Sequence, residues 1–188
     1  MNPLAAGILA YVLIGLELAL RPALGLGDTG VAPSLVLPLV VFVAMSAQAP
    51  QALWMGLLTG IAVDLLTKFP RAAADPITVT LIGPNAIGFL AAAYVTLTLR
   101  GLMIRRNPLS LVALTLAGGA LAALIAVALI TLRAQFDSAM LWSPTRELLS
   151  RLGWAAYSSA VAFVLFYVLR ALSGVLGLAD TSSRRYAR

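Results

Sequence analysis

The sequence predicts an all-α, polytopic membrane protein of about six transmembrane helices, and three observations carry that expectation. Hydrophobic residues make up 61% of the 188, where about half is usual for a soluble domain. Charged residues make up 11%, against about a quarter in soluble domains. Apolar runs near the ~20 residues that cross a bilayer recur along the whole chain. At a mean hydropathy of +0.98 there is no room for a second domain. Residues 1–172 read as a single transmembrane domain and 173–188 as a polar, basic tail.

The first apolar run, 4–20, stops at Arg21-Pro22 before a glycine-rich turn, Gly25-Leu26-Gly27-Asp28. Met1-Asn2-Pro3 lacks the basic start of a cleaved signal peptide, so this run is expected to be retained as a helix. The second run, 33–47, and the third, 52–67, are joined by a tight hairpin, Gln48-Ala49-Pro50-Gln51. Both are short for a hydrocarbon core of about 30 Å, so local thinning or protein contact must compensate. The fourth run, 77–99, is interrupted by Gly83-Pro84-Asn85, which leaves two possible starts, one of them Pro84. Pro76 and the β-branched Ile77, Thr78, Val79 and Thr80 weaken any helix before that point. The fifth run is 108–132, where Gly118-Gly119-Ala120 allows close packing. The sixth starts at Ser143 as N-cap with Pro144 at the first helical position. It carries Glu147 and Arg151 at i,i+4 and ends near Leu172.

Six spans place the two chain ends on the same side. Arg100, Arg105, Arg106, Arg170, Arg184, Arg185 and Arg188 fall there, against Arg21, Lys68, Arg71, Arg133, Arg146 and Arg151 opposite. Seven basic residues against six favour cytoplasmic termini by the positive-inside rule. The formal charge of +6 lies in loops and tail, which points to anionic headgroups of the lipid bilayer and to orientation, with no nucleic acid partner.

With no Cys and no His, the chain has no thiolate nucleophile, imidazole base, disulfide or His/Cys metal site. A transporter would need more polar groups at mid-membrane. No metal or cofactor is expected, and the chain reads as a non-enzyme. The informative feature is Gly56-x-x-x-Gly60-x-x-x-Asp64. These positions share one helix face, and small-x-x-x-small faces let backbones approach closely in membranes. Gly56, Gly60 and Asp64 are therefore the candidate partner-binding residues, a docking face for a transmembrane helix. The competing reading pairs Asp64 locally with Lys68 at i+4. Glu17 is read mainly as the local partner of Arg21, and Asn85 as the cap of a helix start. Tyr11, Trp54, Trp142, Trp154 and Tyr157 read as interfacial anchors or bundle packing.

From 33 to 94 the order of features resembles the MreD family of bacterial rod-shape-determining membrane proteins. Pro33 opens a Leu/Val-rich helix, a short turn leads to Gly56-Leu-Leu-Thr-Gly60-Ile-Ala-Val-Asp64-Leu-Leu, and Gly83-Pro-Asn-Ala86 opens a helix ending near Tyr94. Trp142 before the last run and the small size also fit. Ser34 stands where the family often has an acid or Asn, and 68–82 is longer than the usual glycine-rich link. The resemblance implies a non-catalytic scaffold of the cell-elongation machinery in the bacterial cytoplasmic membrane. It would hold an MreC-like bitopic membrane protein and, through it, communicate with the peptidoglycan glycosyltransferase/transpeptidase pair and MreB. The runner-up is the substrate-binding membrane subunit of an energy-coupling-factor vitamin transporter, to which the MreD family is similar in architecture. Such a site needs convergent polar and aromatic groups, and Asn85, Asp75 and Trp142 are the candidates. A channel or enzyme subunit without a catalytic role of its own is a third, weaker reading.

Overall fold

Proline marks the starts. Its ring pre-sets a helical φ and its missing N–H is no loss in a first turn, and five of the six helices carry Pro in the first two positions. The computed structural model describes residues 1–27, 31–68, 80–103, 107–136 and 143–178. It is all-helical: α1 Pro3–Leu24, α2 Val36–Ser46, α3 Ala49–Leu66, α4 Pro84–Leu99, α5 Pro108–Phe136 and α6 Pro144–Leu172. Helices α1, α3, α5 and α6 are long and apolar enough to cross a membrane, whereas α2 and α4 are shorter.

Several boundaries differ from expectation for identifiable reasons. Helix α1 runs through Pro22 to Leu24. A proline so near the C-terminus costs little, and Gly25 N still bonds Arg21 O at 3.0 Å. Asn2 caps this helix, its Oδ1 accepting from Leu4 N and Ala5 N. The second possible start of α4 is the one adopted, with Gly83 as N-cap at φ 130°, a conformation only glycine holds without strain. Ser143 is the N-cap of α6, but its side chain makes no capping bond. Beyond α6, Leu176 is buried and its carbonyl accepts from Asn2 N at 2.9 Å. This ties the end of α6 to the start of α1.

Helix α2 is the centre of the bundle. It touches each of the other five helices, and every residue from Val36 to Met45 is buried. At about 1.5 Å per residue it is roughly half as long as a bilayer core, so both its ends lie within protein and need partners there. Arg100, at the end of α4, meets its C-terminus: one Nη1 donates to Ala47 O at 2.7 Å and Ala44 O at 3.3 Å. A cation here offsets the negative end of the helix dipole.

Small residues set the other contacts. A Cβ on Gly118 would lie 3.1 Å from Ala92 Cβ, and one on Gly119 would lie 2.9 Å from both Ala155 Cβ and Leu37 Cδ2. The close packing expected of that pair is therefore α5 against α4, α6 and α2. Helix α1 is peripheral: among the described residues its one substantial neighbouring helix is α2.

Candidate functional site

The late turns of α1 and α3 meet the first turns of α2, α4 and α6 at the end of the bundle away from the described chain ends. Two of those first turns have a shared defect. The N-cap of α4 is Gly83, which has no side chain, and that of α2 is Leu35, which has no polar one. The free N–H groups of such a turn must find an acceptor when water is excluded.

Asp64 supplies it for α4. The carboxylate is 1% exposed. Its Oδ2 accepts from Gly83 N at 2.8 Å and Ala86 N at 3.0 Å. Its Oδ1 accepts from Asn85 N at 3.0 Å and Asn85 Nδ2 at 2.9 Å. Pro84 has no N–H to offer, so every available donor of that turn is satisfied by one side chain. The favourable dipole end lies under the charge. The local reading with Lys68 does not describe it: all of these donors lie on Gly83, Asn85 and Ala86.

The glycines explain how Asp64 reaches α4. A Cβ on Gly60 would lie 2.5 Å from Ala86 Cα and 2.6 Å from Asn85 O, and one on Gly56 would lie 2.8 Å from Phe89 O. The close approach expected of this face is present, but the helix on it is α4 of the same chain. The docking face expected at Gly56, Gly60 and Asp64 is therefore corrected to an internal seam. With the two backbones this close, Gly56, Gly60 and Asp64 are all buried within the chain itself.

Glu17 repeats the arrangement. Its Oε2 accepts from Ser34 Oγ at 2.9 Å, Leu35 N at 2.8 Å and Val36 N at 3.4 Å, capping α2. This corrects the expected local pairing with Arg21. Ser34 N in turn donates to Ser158 Oγ at 2.8 Å, linking α2 to α6. Sequence reasoning missed both cross-helix caps because each acid has a base four residues on. The signal that could have found them is the count of helix starts lacking a polar N-cap, which matches the two acids, Glu17 and Asp64, set within apolar runs.

Asn85 is at the second helical position and does not cap. It relays: Nδ2 donates to Asp64, while Oδ1 accepts from Arg151 Nη1 at 3.1 Å. Arg151 Nε also donates to Glu147 at 2.9 Å, the expected i,i+4 pair. A continuous polar chain thus joins α3, α4 and α6. Trp154 stacks on Phe89 with ring centroids 6.3 Å apart, whereas Trp54 and Tyr11 are exposed. Asp75 and Trp142 lie outside the described residues.

Between these networks is a cavity of about 170 Å³, lined by Glu17, Arg21, Asn85, Glu147, Arg151 and Trp154 among others. A second, apolar groove of about 560 Å³ runs between α1 and α3, past Gly7, Ala10, Tyr11, Trp54 and Leu58. The chain matches no family model, no curated protein and no solved structure.

Proposed function

We propose that this chain is a non-catalytic membrane scaffold of the bacterial cell-elongation machinery, crossing the cytoplasmic membrane six times and holding an MreC-like single-span partner. The observation that supports this reading is the Asp64 junction. The two segments that carry the family resemblance, 56–64 and 83–86, are parts of one unit, a glycine seam ending in a carboxylate that caps the helix opened by Gly-Pro-Asn. With Gly56 and Gly60 used internally, the partner helix is assigned to the groove between α1 and α3. A Cβ on Gly7 would meet no atom within 4 Å, so small-residue surface is open there for backbone approach.

Affinity purification of the tagged chain from native membranes, with mass-spectrometric identification, tests the reading. A single-span protein of cell-wall synthesis is expected, and Gly7→Leu should reduce its recovery without lowering the amount of inserted protein. Undiminished recovery would remove the groove from the interface.

The cavity favours a second reading, the substrate-binding subunit of an energy-coupling-factor transporter, because polar and aromatic groups converge on it from five helices' ends or approaches. Its volume counts against a vitamin, since ligand pockets run from about 300 Å³ upward. Recovery of an ATPase pair in the same purification would establish this reading over the first.

A further inference from the structure

The wall of the cavity carries two acids and two bases, Glu17 and Glu147 with Arg21 and Arg151. Arg21 is exposed and Glu147 and Arg151 are partly exposed, so the space is open on one side. What it offers a ligand depends on how far the four groups' hydrogen-bonding capacity is used within the chain. It is only partly used. Among the described residues, Glu17 is bonded through Oε2 alone, and Glu147 meets Arg151 through Oε1 alone. Arg151 donates through Nε and Nη1, and no ion pair between described residues takes up Arg21. Among the described residues, what remains unused is one carboxylate oxygen on each acid, one Nη of Arg151 and the Arg21 guanidinium. Acceptors for an ammonium and donors for an oxyanion thus share a single space.

Size and wall chemistry narrow the occupant. A volume of about 170 Å³ corresponds to about six waters at ~30 Å³ each, enough for a group of several heavy atoms. The Trp154 ring, stacked on Phe89, gives one apolar wall. An arginine fork suits a carboxylate or phosphate oxygen pair. Formal charges on the four residues cancel, so neither a simple anion nor a simple cation is matched.

We propose that this cavity binds a small zwitterion, an ammonium and an oxyanion a few bonds apart, the oxyanion held by Arg21 and Arg151 and the ammonium by Glu17 and Glu147. That chemistry belongs to a phosphoethanolamine lipid headgroup and to a free amino acid or phosphoethanolamine. The site stands whether the chain is a scaffold or a transporter subunit, because it is built from the cavity alone.

Two arms separate the sources. In the first, native mass spectrometry follows lipid retained by the protein from mixed bilayers of phosphatidylethanolamine, phosphatidylglycerol and phosphatidylcholine. In the second, thermal unfolding in detergent is followed with millimolar phosphoethanolamine or alanine. Retention of phosphatidylethanolamine over both other lipids by at least about fivefold, the contribution of one partly exposed charge pair, identifies a headgroup site. Stabilisation by either free compound identifies a soluble ligand. Arg21→Gln, whose side chain caps no helix, should abolish whichever effect is seen. No lipid preference together with no stabilisation would overturn the proposal, as would a preference for phosphatidylglycerol. An effect that survives in folded Arg21→Gln protein would place the binding elsewhere and overturn it equally.

Discussion

Asp64 shows how much one side chain can settle. Four donors converge on a buried carboxylate, and hydrogen bonds to charged groups are each worth about 1.5–3 kcal/mol. Asp64→Asn replaces one acceptor oxygen with an amide that faces N–H groups, so at least one of the two contacts at that oxygen is turned into a donor–donor clash. The expected loss is on the order of 2–4 kcal/mol, read as a fall in unfolding temperature by tryptophan fluorescence in detergent. Lys68→Ala removes an exposed side chain and should stay within about 0.5 kcal/mol. Equal losses from the two variants would return Asp64 to a local ion pair.

At the scale of an element, the decisive contrast is between glycines inside a seam and glycines on a surface. A Cβ on Gly60 would lie 2.5 Å from the backbone of Ala86, which cannot rotate away, while one on Gly7 would meet nothing within 4 Å. Gly60→Ala must therefore push α3 from α4 and lengthen the bonds from Asp64, at a cost of about 1–3 kcal/mol or more. Gly7→Ala should be neutral or slightly stabilising, since alanine favours helix by about 1 kcal/mol. Unfolding curves of the two variants at matched detergent check this. An unaffected Gly60→Ala protein would mean that α3 and α4 do not pack as described. The same logic makes α2 the most dependent element, because a buried helix this short is completed at its ends by Glu17 and Arg100.

For the whole molecule, orientation in the membrane has a direct test. The start of α1 and the turn after α6 share one end of the bundle, joined by Asn2 and Leu176, and the capping acids share the other. The basic residues favour the shared end as cytoplasmic. In a chain with no native cysteine, Ser143→Cys should react with a membrane-impermeant reagent in intact cells, and Leu102→Cys, 81% exposed at the opposite end, only after permeabilisation. The reverse labelling pattern would invert the assignment and turn the charged cavity toward the cytoplasm.

Composition and apolar runs by themselves determined an all-helical chain with several helices long and apolar enough to cross a membrane. Prolines and glycines marked most helix starts, with Pro84 one of two starts that the Gly-Pro-Asn break left for the fourth. These are local properties, set by backbone sterics and by the cost of polar groups in lipid. That Gly56, Gly60 and Asp64 form one face was equally legible. What lies against that face was not, because a small-residue stripe has the same sequence whether it meets a partner or the chain's own next helix. Only the tertiary structure put α4 there, turned Glu17 from Arg21 to the start of α2, and gathered Arg21, Asn85, Glu147 and Arg151 around one cavity. The physical reason is that a buried helix start without a polar N-cap needs an acceptor from outside its own segment, and which distant side chain supplies it depends on packing that no local pattern encodes.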